Sequence, residues 1–466
     1  MTVLAESDVL PMHSKEAAEE APPPAHPVRV LFINDTARNG GPGRSLHSIL
    51  KFLDPAVVHR AVVLPRSGAI ADLLARDRVA DELHFEPNLV ENPIEPWNRA
   101  MERSDFDAPL ARKGLRLAGN VVKASMAIAR LALLARRGRF DLLYCNGTNA
   151  DFAGALLARM TGVPALWHVR YTSLPPAVRS LHRSLSASSG VRRILCVSNA
   201  ATPLFAHCAS KVRVVHNALD VGAFDPQTVR GTLRAELGLA SDAVVFGSHG
   251  RVLRRKGYVE MIRAARITLD RLPPGMAARV HFVVVGDTPD DYRPDHVQEC
   301  AALARSLGLG DRFRMLGFRA DVRPLVADFD VAVVPSVYPD PLPRAVIESM
   351  ALGKPVVAYA VGGVVEMIET GASGATGELV AFEPANGSGS SSEGASAGAV
   401  ERLADALVAY ALDAERRGRE GERARRRVLA DFDARAHARR VQSEILEASS
   451  GASLRGEGVG RLARKG

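Results

Sequence analysis

A chain of 466 residues, 47% hydrophobic and 24% charged, is too long for one ordinary core and reads as soluble and globular, with two large domains or three small ones. Its 60 Lys and Arg against 52 Asp and Glu leave a net charge of +8 and a pI near 9.5, which suits an anionic partner: nucleic acid, an anionic membrane surface or a phosphorylated small molecule. Much of that excess sits in Arg-rich patches such as RRGREGERARRR (416–427), which reads as a solvated helix face, so no nucleic-acid partner is expected.

Residues 1–27 are acidic and Pro-rich and are expected to form a disordered arm; they lack the basic-then-apolar order of a signal peptide. At Val28 the run VRVLFIND predicts a buried strand, the glycine-rich TARNGGPGRSLHSILKFL a turn into a helix, and RAVVLP (60–65) another strand. Residues 110–137 mix apolar side chains with Arg and Lys and admit two readings, an amphipathic helix resting on an anionic membrane or a domain helix with a basic solvent face. No eighteen apolar residues run uninterrupted, so no membrane span is expected. Residues 138–170 read strand, loop, helix, turn, strand, and 192–200 and 211–220 read as further strands.

The pattern then restarts. AVVFGSHGRVLRRKGYVEMIRAARITL reads strand, loop, helix, and strands follow at 279–287, 313–318, 330–336, 355–360 and 377–380. Strands alternating with helices predict parallel sheets joined by right-handed crossovers. Two such series predict an α/β protein of two doubly wound domains, with the ligand at the carboxyl ends of the strands in the cleft between them. The expected division is an N-terminal domain over 28–215, a linker over 216–226 and a C-terminal domain over 227–425. The Ser/Gly-rich stretch 383–400 reads as a flexible insertion within that second domain. A C-terminal helix over 426–448, able to cross back to the first domain, precedes a loose basic tail over 449–466. Cys145, Cys196, Cys208 and Cys300 form no CxxC and read as buried reduced thiols, which implies a cytoplasmic location.

Three stretches carry chemistry. In NGGPGR (39–44), Gly40, Gly41 and Gly43 let the backbone approach a ligand and the helix that follows offers its N-terminus to an anion, a plain tight turn being the alternative. HGRVLRRKGY (249–258) sets Arg251 and Lys256 around a turn at a strand's carboxyl end, where a guanidinium fork and a compact ammonium suit phosphate oxygens. In SVYPDPLPRAVIESMALGKP (336–355), Pro343 and Gly353 bracket a short helix whose N-terminus would face a diphosphate, with Asp340 before it and Glu348 more than one turn inside. Taken alone, Asp340 and Glu348 also read as a loop cap and a surface charge.

Together these stretches resemble glycosyltransferase family 4, whose fold is GT-B: two Rossmann-like domains facing a central cleft. The resemblance runs from about residue 28 to 440 and is densest over 245–380. It rests on GRVLRRKGY, VVVGD, LGFRADVRPLVADFDVAVVPS, PDPLPRAVIESMALGKPVVAYAVGGVVEMIETG, NGGPGRSL and WHVR. It implies a retaining, metal-independent transfer of a sugar from a nucleotide diphosphate-sugar, with no cofactor, to a glycan or lipid-linked acceptor in cell-surface polysaccharide or glycolipid synthesis. The inner face of the cytoplasmic membrane is the implied place of work. By the same resemblance Arg251 and Lys256 hold the diphosphate, Glu348 the ribose and Asp340 the donor sugar. His168 contacts sugar or acceptor, and Gly40, Gly41, Gly250, Leu342, Pro343 and Arg344 complete the donor site. His168, at a strand end, also reads as a packed or capping residue. Two departures from the family's pattern concern the donor sugar: Asp340 stands where Glu is usual, and Leu342-Pro343 where Phe-Gly is common, removing one N–H.

The acidic run GDTPDD (286–291) and the Asp-Phe-Asp triplets at 105–107, 328–330 and 431–433 read as structural rather than metal-binding. The alternatives carried are a non-catalytic binding or assembly subunit and a nucleotide-sugar epimerase on the same fold. A phosphorylase would need a pyridoxal phosphate Lys that no motif supplies.

Overall fold

The computed structural model describes residues 26–37, 40–89, 110–289, 295–371, 373–385 and 394–456. Residues 1–25 of the expected arm, 386–393 of the expected insertion, 457–466 of the tail, the triplet at 105–107 and the end of the acidic run at 290–291 lie outside those residues.

The first sheet holds β1 (Val28–Asn34), β2 (Val58–Leu64), β3 (Glu82–Phe85), β4 (Leu142–Asn146), β5 (Ala165–Val169), β6 (Val191–Cys196) and β7 (Val212–Val214), all parallel, in the order β3-β2-β1-β4-β5-β6-β7. The second holds β8 (Val244–His249), β9 (Val280–Val285), β10 (Phe313–Met315), β11 (Val331–Val334), β12 (Val356–Tyr359) and β13 (Gly377–Val380), also parallel, in the order β10-β9-β8-β11-β12-β13. Central strands such as LLYCN and VAVV are buried throughout because helices cover both faces of a parallel sheet. The strand β3, ELHF, has no such run; as a half-exposed edge strand it carries polar residues and left no signal in the sequence.

The first domain's helices are α1 (Gly41–Phe52), α2 (Ala69–Arg76), α3 (Leu110–Arg137), α4 (Thr148–Thr161) and α5 (Pro176–Ala187). The second adds α6 (Leu233–Leu237), α7 (Tyr258–Arg271), α8 (Pro274–Ala277), α9 (Asp295–Ser306), α10 (Arg323–Val326), α11 (Arg344–Ala351), α12 (Ala397–Leu412) and α13 (Ala414–Asp431). The last helix, α14 (Ala434–Gly456), leaves the second domain and packs on the first.

Three expectations need correction. The single crossing helix at 426–448 is two helices, because the chain breaks at Phe432-Asp433 to bond the other interdomain strand: Leu219 N–H donates to the Phe432 carbonyl (2.9 Å) and Ala434 N–H to the Leu219 carbonyl (2.9 Å). The ends of the 383–400 insertion are ordered, since Pro384 pairs with Ala395 and Ser396 caps α12 at the Ala399 N–H. Residues 449–456 extend α14 rather than opening a loose tail.

The crossing helix is anchored by burial. Val441, Ile445 and Ala448 sit among Val30, Phe32, Leu46, Ile49 and Leu50 in one apolar cluster, and Arg193 holds Glu444 at 2.8 Å. Ile445→Ala is expected to lower stability by about 2–5 kcal/mol, as large-to-small core changes do, read as a drop in the urea midpoint at unchanged m-value.

Candidate functional site

In each sheet the strand order reverses between two neighbours, β1 and β4 in the first, β8 and β11 in the second. Crossovers leaving to opposite faces open a crevice there at the strands' carboxyl ends. Every stretch singled out for chemistry follows one of these strands: Gly40-Gly41 after β1, Gly250 to Lys256 after β8, and Asp340 to Glu348 after β11. Parallel topology gathers the second and third stretches at the carboxyl edge of the second sheet, and the facing of the two domains adds the first.

The β8 side is built by close glycine approaches. Gly250 has φ +141° and Gly257 φ +75°, and a Cβ on Gly257 would lie 1.7 Å from the Pro335 carbonyl oxygen. Only glycine lets the single 3-10 turn Arg254–Lys256 seat against the end of β11. That seating delivers Lys256 Nζ to Asp340 Oδ2 at 2.6 Å, and the Tyr338 hydroxyl donates to the same oxygen at 2.8 Å. The Arg255 guanidinium and the Lys256 ammonium lie 5.0 and 5.3 Å from the Tyr338 ring centroid, within cation–π range. Burial would push the Asp340 carboxyl up, but the Lys256 charge and the hydrogen bonds of Lys256 and Tyr338 outweigh it and hold the group below its ordinary value. Burial likewise opposes the charge on Lys256, and Asp340 more than restores it. Both groups stay ionised as a pair. Arg251, by contrast, is exposed and has no hydrogen-bond or ion-pair partner among the described residues.

On the β11 side Pro343 is the N-cap of α11 and Gly353, at φ +72°, follows its end. Glu348 is 5% exposed. Its Oε1 accepts from Arg344 Nε and its Oε2 meets His249 Nε2, each at 3.1 Å. Burial alone would raise its pKa; the His249 hydrogen bond and the charges of Arg344, His249 and Arg44 instead bring it down to about 2. Arg344 also donates to the Ala218 carbonyl in the interdomain segment at 3.2 Å. Across the cleft, a Cβ on Gly41 would lie 4.0 Å from Arg344 Cδ and one on Gly40 would meet nothing within 4 Å. The first-domain loop thus approaches α11 at Gly41 and opens onto free space at Gly40.

Two sequence assignments change. Leu342 is a core residue at 3% exposure, and its carbonyl is already bonded by Asn217 Nδ2 at 3.2 Å, so it offers a ligand no side chain. His168 does not reach the cleft surface. It is fully buried, its Nδ1 accepts from the Tyr144 hydroxyl and from Arg170 at 3.4 Å, its Nε2 has no partner, and its ring lies 6.2 Å from that of His437 on α14. Burial, with the nearby Arg170 and His437, pushes its pKa well below the ordinary value and keeps it neutral. An alternating strand sends His168 to the α1 and α14 side, with Leu166, and away from Trp167.

The residue that sequence reading missed is Arg170, two positions on. Its Nε donates to Asn146 Oδ1 at 2.8 Å and it also bonds Asn217 Oδ1. Asn146 in turn donates to Asn34 Oδ1 (2.5 Å) and the Pro42 carbonyl (3.1 Å). One polar chain therefore links the glycine loop, the β1/β4 switch point, the interdomain segment and the loop before α11. A second tie is Glu366, whose carboxylate accepts from Asn199 N (2.9 Å) and Ala200 N (3.1 Å) and meets His216 Nε2 at 3.0 Å. The triplet at 328–330 is structural: Asp328 accepts from Arg234 N (2.9 Å), Asp330 from Val245 N (2.8 Å), and Phe329 is core. In the triplet at 431–433, Asp433 accepts from Ala436 N at 3.2 Å at the start of α14. In the acidic run, Asp287 accepts from Thr288 N at 2.7 Å.

Residues 229–386, which contain the whole β8 and β11 side, match the family model of glycosyl transferases group 1. The chain resembles solved structures over nearly its full length: Anabaena HepE in complex with UDP and glucose (TM-score 0.69, 22% identity, 90% of this chain and 100% of that one) and sucrose-phosphate synthase from Thermosynechococcus elongatus (TM-score 0.65, 18% identity, 91% and 100%). The fold is GT-B. Among curated relatives of this GT-B chain, the D-inositol 3-phosphate glycosyltransferase of Actinosynnema mirum is 35% identical over 175 residues, 37% of this chain and 41% of that protein. The UDP-Gal:alpha-D-GlcNAc-diphosphoundecaprenol alpha-1,3-galactosyltransferase of Escherichia coli is 23% identical over 341 residues, 69% and 82%. The chain thus spans less than half the length of the first of these relatives and most of the second.

Glu348 supplies a pH test. Its pKa falls from an ordinary 4.5 to about 2 in the folded chain, so the stability it contributes is complete above pH 4.5 and is lost as pH falls towards 2. The advantage of wild type over Glu348→Gln in urea unfolding is expected to be largest above pH 4.5 and to shrink below it. An advantage independent of pH would show that the carboxylate's charge is not what the site holds.

Proposed function

We propose that the protein is a retaining, metal-independent glycosyltransferase that moves a sugar from a nucleotide diphosphate-sugar to a glycan or lipid-linked acceptor in cell-surface polysaccharide or glycolipid synthesis. The observation that carries this reading is the pair of cations at the β8/β11 switch point, Lys256 locked by Asp340 and Arg251 left free of partners among the described residues. Breaking an anomeric C–O bond to a diphosphate leaves the electron pair on a phosphate oxygen. Fixed cations beside a helix N-terminus stabilise that charge without a divalent ion. The acceptor hydroxyl delivers its oxygen to the anomeric carbon from the face the diphosphate leaves, and its proton passes to the departing phosphate.

Asp340 has two duties in this reading. It holds Lys256 in place and keeps its other oxygen for the donor sugar. Glu348, oriented by His249 and Arg344, retains acceptor capacity for vicinal ribose hydroxyls. Gly40 and Gly41 leave room where sugar and acceptor meet, and Gly250 lets the main chain turn beside the phosphates. Because His168 is buried and neutral, its part is support: through Nδ1 it helps fix Arg170. The UDP and glucose bound by HepE and the lipid-linked substrate in the name of the E. coli relative support this donor and acceptor class. A cytoplasmic place of work at the inner membrane face belongs to the same proposal.

A thermal-shift panel of nucleoside diphosphates and nucleotide sugars, with UDP and GDP first, tests the reading. Stabilisation by at least one of them, and slow donor hydrolysis without acceptor, are expected; neither binding nor turnover across the common donors would sink it in favour of a non-catalytic subunit. Arg251→Ala removes a side chain without a partner, so it should leave the melting temperature unchanged and weaken diphosphate binding about 10–100-fold, the worth of one charge-assisted contact. Lys256→Gln should cut turnover by orders of magnitude. It keeps a donor for Asp340, unlike Lys256→Ala, which would leave a buried carboxylate unpaired.

A further inference from the structure

The helix α3 runs along the outside of the first domain, and its two faces differ. Ala127, Leu131 and Ala135 are buried against the sheet and α4. At 100° per residue, Leu115, Val122, Met126 and Leu133 fall within about 20° of one line along the opposite face. All four are exposed, from 44% for Met126 to 77% for Leu115. They form an apolar stripe about 27 Å long at 1.5 Å per residue. Leu156 and Met160 of α4, also exposed, lie beside its C-terminal end, where Arg136 bonds the Met160 carbonyl.

Four basic side chains lie on one flank of the stripe. Arg112, Arg116, Lys123 and Arg130 follow one another about 60–100° around from it, and the helix has no Asp or Glu anywhere along 110–137. This helix is long and apolar enough over Gly114–Arg137 to cross a membrane. The packing of its C-terminal half, where Ala127, Leu131, Ala132 and Ala135 are buried, and the basic Lys123 and Arg130 along its length oppose that role here. What remains is a helix lying flat, with an apolar face and a basic flank on the same exposed side.

We propose that α3 is a membrane-docking surface, with Leu115, Val122, Met126 and Leu133 entering the headgroup–acyl boundary of an anionic bilayer and the basic flank paired with lipid phosphates. A protein partner would need a matching acidic ridge beside an apolar groove; an anionic bilayer supplies both along the whole length of the stripe. The inference goes beyond the sugar-transfer reading and stands separately from it, because no residue of α3 belongs to the cleft.

The test is co-sedimentation of the full chain with phosphatidylglycerol–phosphatidylcholine vesicles and with phosphatidylcholine vesicles. Binding to the first at least about tenfold tighter than to the second, weakened as salt shortens the Debye length from about 10 Å at 0.1 M to 3 Å at 1 M, is expected. V122E/M126E should abolish it and Lys123→Glu with Arg112→Glu weaken it about tenfold. Melting temperature and donor hydrolysis should stay unchanged in both. No binding to anionic vesicles, or binding that V122E/M126E leaves intact, overturns the proposal. So does a dimer in analytical sedimentation that V122E/M126E dissolves, which would make a second copy the occupant.

Discussion

A buried ammonium and a buried carboxylate 2.6 Å apart, Lys256 and Asp340, fix the centre of this molecule. Burial pushes each towards its neutral form, and the charge of the other reverses that shift. Their pairing ties the turn after β8 to the loop after β11 at the point where the second sheet reverses direction. The close seating of Gly257 on Pro335 and of Gly363 on the Asp340 carbonyl, which accepts its N–H at 2.8 Å, then follows as the backbone needed to bring the two charges together. A pair of this kind adds little net stability, because desolvation offsets attraction. Its effect is to hold geometry, and it holds a cation at a strand end where a ligand's anion arrives.

The second constraint is that the chain passes between domains twice, at Leu219 and at Phe432-Asp433, and bonds itself where it does so. Side by side, the two crossings act as one short hinge. The polar chain from Asn146 through Arg170 and Asn217 to the Leu342 carbonyl lies next to it. Glu366 and the Thr172 hydroxyl, which donates to the Pro339 carbonyl at 2.6 Å, close the gap further out. Few of these ties are apolar. An interface made of hydrogen bonds can open and reform in water at modest cost, as a cleft that admits a large donor requires.

The fold was legible because central parallel strands buried on both faces announce themselves as short apolar runs; twelve of the thirteen strands among the described residues were expected, and β3, an edge strand, was not. The cleft was legible because strand ends followed by glycine, Arg, Lys or Pro mark the switch points. What the sequence could not carry was pairing. Asp340 and Lys256 are 84 positions apart, and nothing local says that they meet. The same limit hid Arg170: it lies two positions beyond His168 and on the same side, but its partners Asn146 and Asn217 come from two other segments. Leu342 was misassigned for a related reason, since a residue beside a site may still turn its side chain to the core.

Pairing also decides which charges can act on a ligand. Around the cleft, Arg344 and His249 are engaged by Glu348, and Lys256 by Asp340. Carboxylates in a site meant for a diphosphate look contrary at first, since each should repel it. Their placement resolves this. Each is held on its inner side by basic side chains of its own domain, Asp340 by Lys256 and Glu348 by Arg344 and His249, so in the proposed reading the ligand meets the remaining positive charge while the carboxylates present acceptor oxygens to hydroxyl groups. A ligand that carries phosphate at its middle and hydroxyl groups at both ends fits that alternation; a bare phosphate or a neutral sugar would satisfy only part of it. In the proposed reading, charge order along the cleft, rather than its net sign, is what a sugar nucleotide would meet.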